Sequence, residues 1–270
     1  MSSGIAQVAA QSGFNILLYD IDETAFTKAK KNIQSSLEHL HDKQKISAEE
    51  EKQALKKIQF SNNINDCFAD VIIEAIIEKY EAKVTVFNQL AEINKPDTVF
   101  ATNTSSLSVS KIQDKIKFPE RVIGMHFFNP AQIMKLVEVV KAEKTNEVSV
   151  NIILSIARQM NKVPVLCKDS PGFIVNRIAR HYYLEAMKLV ESRIAIIENV
   201  DAVMEASGFK MGPFRLMDLI GIDINLAVSK SIYESFRNEE RFKPSSIQIE
   251  KVNLHDLGKK TGKGFYTYNS

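Results

Sequence analysis

The sequence predicts an α/β protein, a doubly wound parallel sheet followed by an all-α domain. Three observations predict it. Up to residue 168, apolar runs of strand length alternate with stretches whose apolar residues recur at helical spacing, the pattern of βαβ units. Beyond that point almost every periodic stretch is helical. Between the two regions lies Lys168-Asp169-Ser170-Pro171-Gly172, a proline-glycine break that suits a boundary, so the expected domains are 1–168 and 169–270.

Size and composition agree. With 270 residues, 44% of them hydrophobic and 25% charged, the chain has enough apolar material for two cores. A net charge of +2 gives no sign of a nucleic-acid or membrane-surface partner. No apolar run reaches the length of a membrane span, and no basic stretch leads into a hydrophobic signal core. Cys67 and Cys167 lie in or beside apolar runs without metal-type spacing and read as small buried hydrophobes. The expectation is a cytoplasmic protein with no metal.

Ile5, Val8, Ala9 and Ser12 recur at helical spacing and Gly13 stops that first helix. Ile16-Leu17-Leu18-Tyr19-Asp20 is then a short strand ending in an acid. A helix, a glycine and a strand closing on Asp form the second half of a dinucleotide-binding unit. There Asp20 would accept hydrogen bonds from the adenosine ribose of NAD and repel the extra phosphate of NADP. Asp22 competes for that role, and an Asp at a strand end is also a common turn former. The first half of the unit, a strand and a Gly-rich loop, is missing, so the sheet is expected to lack its first strand, with a gap beside the next one. The expectation from this is a sequence truncated at its start.

Residues 24–57 read as a hairpin of two polar helices, with Thr24 as one N-cap and Ser47 with Glu50 as a capping box. Asp70 to Ala75 is an almost unbroken apolar run, a buried parallel strand. Tyr80, Val84, Phe87 and Leu90 mark the helix after it, with Glu78 and Lys83 at the intervening turn. Val99 to Thr102 is the next strand and delivers Asn103-Thr104-Ser105-Ser106 to its end. Val122 to Met125 leads straight into His126, at the edge where open α/β sheets bind ligands. Phe127-Phe128-Asn129-Pro130 stops that strand, and Leu136 to Val140 is another with a single carboxylate, Glu138. Val148 to Met160 reads as a helix, and Val163-Pro164-Val165-Leu166 as a strand that proline confines to the sheet edge. In the second domain a helix runs from Phe173 to Val190 with Asn176 one turn inside, and Gly258 to Tyr266 reads as a basic, glycine-rich surface loop. The domain carries more apolar helix surface than about a hundred residues bury alone, which predicts a homodimer through it.

A carboxylate inside an apolar strand is costly to bury unless a donor or cation meets it, and His126 is the nearest candidate. Such a pair makes a general base, because the carboxylate fixes the imidazole tautomer and stabilises the imidazolium. Taken singly, each residue has a bland alternative: a structural histidine, a solvated glutamate, a helix-capping serine.

Six stretches change that balance. NTSSLS at 103–108, GMHFFNP at 124–130, KLVEVV at 135–140, KDSPGFIVNR at 168–177, MGPFRLMDLIG at 211–221 and GKKTGKGFY at 258–266 occur in order across nearly the whole chain. Together they resemble the L-3-hydroxyacyl-CoA dehydrogenases, in particular the bacterial 3-hydroxybutyryl-CoA type. The resemblance implies a Rossmann-like NAD-binding domain and a helical domain for substrate and dimerisation. It implies hydride transfer between the C3 carbon of an (S)-3-hydroxyacyl-CoA and NAD, chemistry of β-oxidation and butyrate metabolism. By position it makes His126 the base, Glu138 its orienting carboxylate, and Ser105 and Asn176 the residues that position the reacting oxygen. It places Glu78 and Lys83 near the nicotinamide ribose, assigns Asn103 and Ser105 to the cofactor as well, and gives Ser36 and Lys43 to CoA. The departure is at the start, where Met1 to Ala6 matches only the tail of the family's GxGxxG loop and Ser2 stands at its third glycine. That leaves two rival readings: a gulonate-type dehydrogenase of a free hydroxy acid, and a truncated inactive subunit.

Overall fold

The computed structural model describes residues 1–268, in two compact units that divide after Asp169. The first unit opens with α1 (Ser2–Gln11), whose Ile5, Val8 and Ala9 enter the core, and Gly13 turns the chain at φ +94°. β1 (Ile16–Tyr19) follows, then α2 (Glu23–Asp42) and α3 (Ala48–Lys56). The capping box of α3 is present: Ser47 accepts from the Glu50 amide, and the Glu50 carboxylate accepts from the Ser47 amide. α2 begins two residues earlier than a Thr24 cap would allow. Asp22 caps it, its carboxylate accepting from the Thr24 amide at 2.9 Å.

After α3 comes β2 (Ile58–Ser61), a strand that sequence patterning did not predict. It is four residues long and pairs in parallel with β1, forming a two-stranded sheet. The main sheet has five strands in the order β3 (Val71–Glu74), β4 (Val99–Thr102), β5 (Val122–Phe127), β6 (Leu136–Lys141) and β7 (Val163–Lys168). Among the described residues no ladder joins β1 to β3, so each is paired along one edge only. The three apolar residues of β3 are accordingly half-buried rather than buried. β4 and β5 are buried throughout.

All ladders of the main sheet are parallel except β5 with β6. The eight residues between those two strands are too few for a crossover, so the chain returns antiparallel. β7 takes the sheet edge, where Pro164 needs no donor on its free side. α4 (Tyr80–Ile93), the short α5 (Val109–Gln113) and α6 (Glu147–Gln159) complete the unit. Its core packs Ile5 and Val8 of α1 with Val99, Ile123, Met125, Val137, Val139 and Ile153.

The second unit is helical: α7 (Val175–Glu191), α8 (Ile197–Ala206), α9 (Pro213–Ile220), α10 (Ile222–Ser235) and α11 (Ser246–Asn253). α7 starts two residues later than its apolar spacing suggests, because Phe173 takes a positive φ of 47°. Asn176 therefore stands in the first turn of α7, not one turn inside it.

The stretch from Gly258 to Tyr266 is not a loose surface loop. Its lysines are exposed, but Gly258 and Gly264 are buried against Asp218, whose carboxylate accepts from the amides of Phe265 and Tyr266, each at 2.9 Å. Both cysteines are free and half-buried, and burial pushes each thiol up to about 11. No helix among the described residues is long and apolar enough to cross a membrane.

Candidate active site

The antiparallel pairing sets His126 directly opposite Glu138. The two side chains lie on one face of adjacent strands, a spacing at which cross-strand neighbours touch. Nδ1 of His126 lies 2.8 Å from Oε2 of Glu138, and both residues are almost fully buried. A carboxylate can only accept, so Nδ1 carries the proton and Nε2 is the basic nitrogen. The Phe128 ring covers the imidazole at 4.6 Å between centroids. An imidazole held in one tautomer by a buried carboxylate can take a proton and keep the resulting charge compensated.

The end of β4 is tied to this pair. Asn103 Oδ1 accepts from the Phe127 amide at 2.8 Å, and the Asn103 amide donates to the Glu74 carbonyl at 2.8 Å. Asn103 thus links the ends of β3, β4 and β5, with its carbonyl oxygen occupied inside the protein.

Glu78 grips the next residues. Its Oε1 accepts from the amides of Ser105 at 3.0 Å and Ser106 at 3.2 Å, and from the hydroxyls of Thr104 and Ser106. Its Oε2 faces Lys83 Nζ at 3.3 Å. Desolvation pushes the Glu78 carboxyl up, but the Thr104 hydroxyl, Lys83 and the turn amides outweigh it, and the group sits below the ordinary value of 4.5. Lys83 is no surface lysine. It is 1% exposed and ion-paired at 2.7 Å with Glu74, which patterning did not single out. The signal was available: Glu74, like Glu138, is a carboxylate in an apolar strand.

The structure thereby brings together Glu78, Lys83, Asn103, Ser105, His126 and Glu138. Asp20 follows β1 in the smaller sheet, its carboxylate accepting from the Asp22 amide at 3.1 Å. Ser36 lies half-buried in α2, and Lys43 is exposed at the C-cap that ends the helix. Asn176 belongs to the second unit.

The residues present suit a dinucleotide. α1 has no acidic residue in its first turn and no side-chain cap, which leaves its positive end available to a pyrophosphate. The following parallel strand closes on Asp20, suited to a ribose diol. Among the described residues no group of three or more His, Cys, Asp or Glu is arranged to hold a metal.

The parallel strands of the first unit and the polar groups at their ends suit the binding of a dinucleotide. Residues 1–170 match the 3-hydroxyacyl-CoA dehydrogenase NAD binding domain, and residues 172–268 match the C-terminal domain of the same family. The chain is 44% identical over 272 residues to the 3-hydroxyadipyl-CoA dehydrogenase of Escherichia coli, covering all of this chain and 57% of that protein. It is 36% identical to a probable 3-hydroxybutyryl-CoA dehydrogenase of Deinococcus radiodurans, over 99% of this chain and 96% of that one. The crystal structure of (S)-3-hydroxybutyryl-CoA dehydrogenase from Ralstonia eutropha superposes with a TM-score of 0.96 at 35% identity, over 100% of this chain and 96% of that one. The chain belongs to the 3-hydroxyacyl-CoA dehydrogenase family, oxidoreductases whose first domain binds NAD.

Proposed function

We propose that the chain interconverts an (S)-3-hydroxyacyl-CoA, 3-hydroxybutyryl-CoA in particular, and the corresponding 3-oxoacyl-CoA, with His126 as the acid–base group. The observation that carries this reading is the buried 2.8 Å contact between His126 and Glu138 at the end of β5. In the oxidative direction Nε2 of His126 takes the proton of the 3-hydroxyl while the C3–H bond breaks and C3–O becomes a carbonyl. NAD+ supplies the acceptor for the C3 hydride. Glu138 keeps Nδ1 protonated and compensates the imidazolium, which returns the proton in the reverse direction. Ser105 and Asn176 position the reacting oxygen, Asp20, Glu78, Lys83 and Asn103 serve the cofactor end, and Ser36 and Lys43 hold CoA. The first unit is then the cofactor domain, and the second the substrate and dimerisation domain. Two free cysteines fit a reducing cytoplasm.

The test is NADH oxidation with acetoacetyl-CoA. The expected result is turnover by the unaltered chain and a loss of kcat of roughly two to four orders of magnitude in His126→Ala and in Glu138→Gln. Near-unaltered rates in both variants would remove the His–Glu base. Turnover of a free hydroxy acid in place of the thioester would move the substrate to the gulonate type. Absence of both turnover and NADH binding would leave an inactive subunit.

A further inference from the structure

Glu74 closes β3 and is 5% exposed. Both of its oxygens are engaged. Oε1 accepts from Lys83 Nζ and from the Ile76 amide, each at 2.7 Å, and Oε2 accepts from the Thr102 hydroxyl at 2.7 Å. Glu74 is thus tied to the ends of both β3 and β4. Glu78, by contrast, lies in the connection between β3 and α4.

Lys83 and Glu74 are both buried and form a neutral ion pair, whereas Glu78 is exposed and adds a second carboxylate beside the same ammonium. A buried ion pair is unfavourable unless further hydrogen bonds satisfy it, and here the Ile76 amide and Thr102 hydroxyl meet the Glu74 carboxylate. The distances show what the arrangement achieves. Lys83 lies closer to Glu74, at 2.7 Å, than to Glu78, at 3.3 Å. The ammonium is held on the rigid strand end, and Glu78 keeps its other oxygen for the Ser105 and Ser106 amides. Without Glu74, the full pull of Lys83 would fall on Glu78 and compete with those weaker amide donors.

We infer that Glu74 is a positioning residue: by anchoring Lys83 it lets Glu78 fix the turn that presents Ser105, and so sets the rate of the chemical step. The inference rests on the dehydrogenase reading proposed above for Ser105. None of the hydrogen bonds of Glu74 reaches the His126–Glu138 pair or the Ser36 and Lys43 proposed above for CoA, so its effect falls on kcat rather than on the KM for the thioester.

The experiment compares the unaltered protein with Glu74→Gln, which keeps shape but removes the charge, and with Thr102→Val, which removes one anchoring hydroxyl from a folded strand. Steady-state NADH oxidation with acetoacetyl-CoA is measured beside hydrogen exchange at the Ser105 and Ser106 amides. In Glu74→Gln, kcat is expected to fall at least about tenfold with KM for acetoacetyl-CoA within about threefold, since a small misplacement of a positioning group is costly. Exchange at both amides is expected to accelerate. Thr102→Val is expected to shift both readouts in the same direction by less, and it decides the matter if Glu74→Gln does not fold. An unchanged kcat with unchanged amide exchange in a folded variant overturns the inference, as does a rise in KM at constant kcat. If the unaltered chain shows no turnover, the functional reading fails by itself. The exchange data then decide the role of Glu74: faster exchange supports it and equal exchange overturns it.

Discussion

Glu78 divides its two oxygens between a lysine and a turn, and its carboxyl is held below the ordinary 4.5 by that division. A carboxyl whose folded value is depressed contributes stability that is complete above its unfolded value and is lost as pH falls through the folded one. The difference in melting temperature between the unaltered protein and Glu78→Gln should therefore be constant from neutral pH to about 4.5 and shrink below it. A gap that stays constant down to about pH 3 would show that the turn draws no stability from this charge. His126 and Glu138 could be singled out in the sequence because each is a polar residue stranded among apolar neighbours. Lys83 could not be placed in the same way, since a lysine near a helix start looks the same whether it is solvated or buried.

At the scale of elements, strands flanked by clear breaks and helices with long stripes were legible: α4 and β4 have the limits their patterns suggest. β2 was not, because four residues alternating Ile-Gln-Phe-Ser between polar ends carry no signal until β1 pairs with them. The glycine-rich tail was misread for a related reason. Its glycines at 258 and 264 are needed for close approach to Asp218, a contact distant along the chain and invisible to local pattern. Gly258 has φ +97°, and a Cβ there would meet the Asp218 carbonyl oxygen at 2.3 Å. Gly258→Ala should therefore cost more than about 1 kcal/mol and lower the melting temperature by several degrees. Thermal denaturation checks this, and an unchanged midpoint would mean that the tail does not depend on that contact.

At the scale of the molecule, the second unit leaves Ile178, Ile194, Ile196, Val203 and Leu254 more than half exposed. Apolar side chains left open in such number suit a covering partner, and a second copy is the proposed one. Sedimentation equilibrium should give about twice the chain mass of 30.4 kDa, and a glutamate at Ile194 is expected to shift the protein toward monomer. A concentration-independent mass of 30.4 kDa would overturn the dimer. The sequence by itself determined the order of the main-sheet strands and the helices between them, the family, and the residue types available for proton transfer, because periodicity, glycine-proline breaks and polar residues in apolar runs are local properties of the chain. Tertiary structure decided which of those residues meet: that β6 returns antiparallel and sets Glu138 against His126, and that Glu74 anchors Lys83 beneath the Ser105 turn. These contacts join residues far apart in sequence, and only strand pairing and burial fix their register.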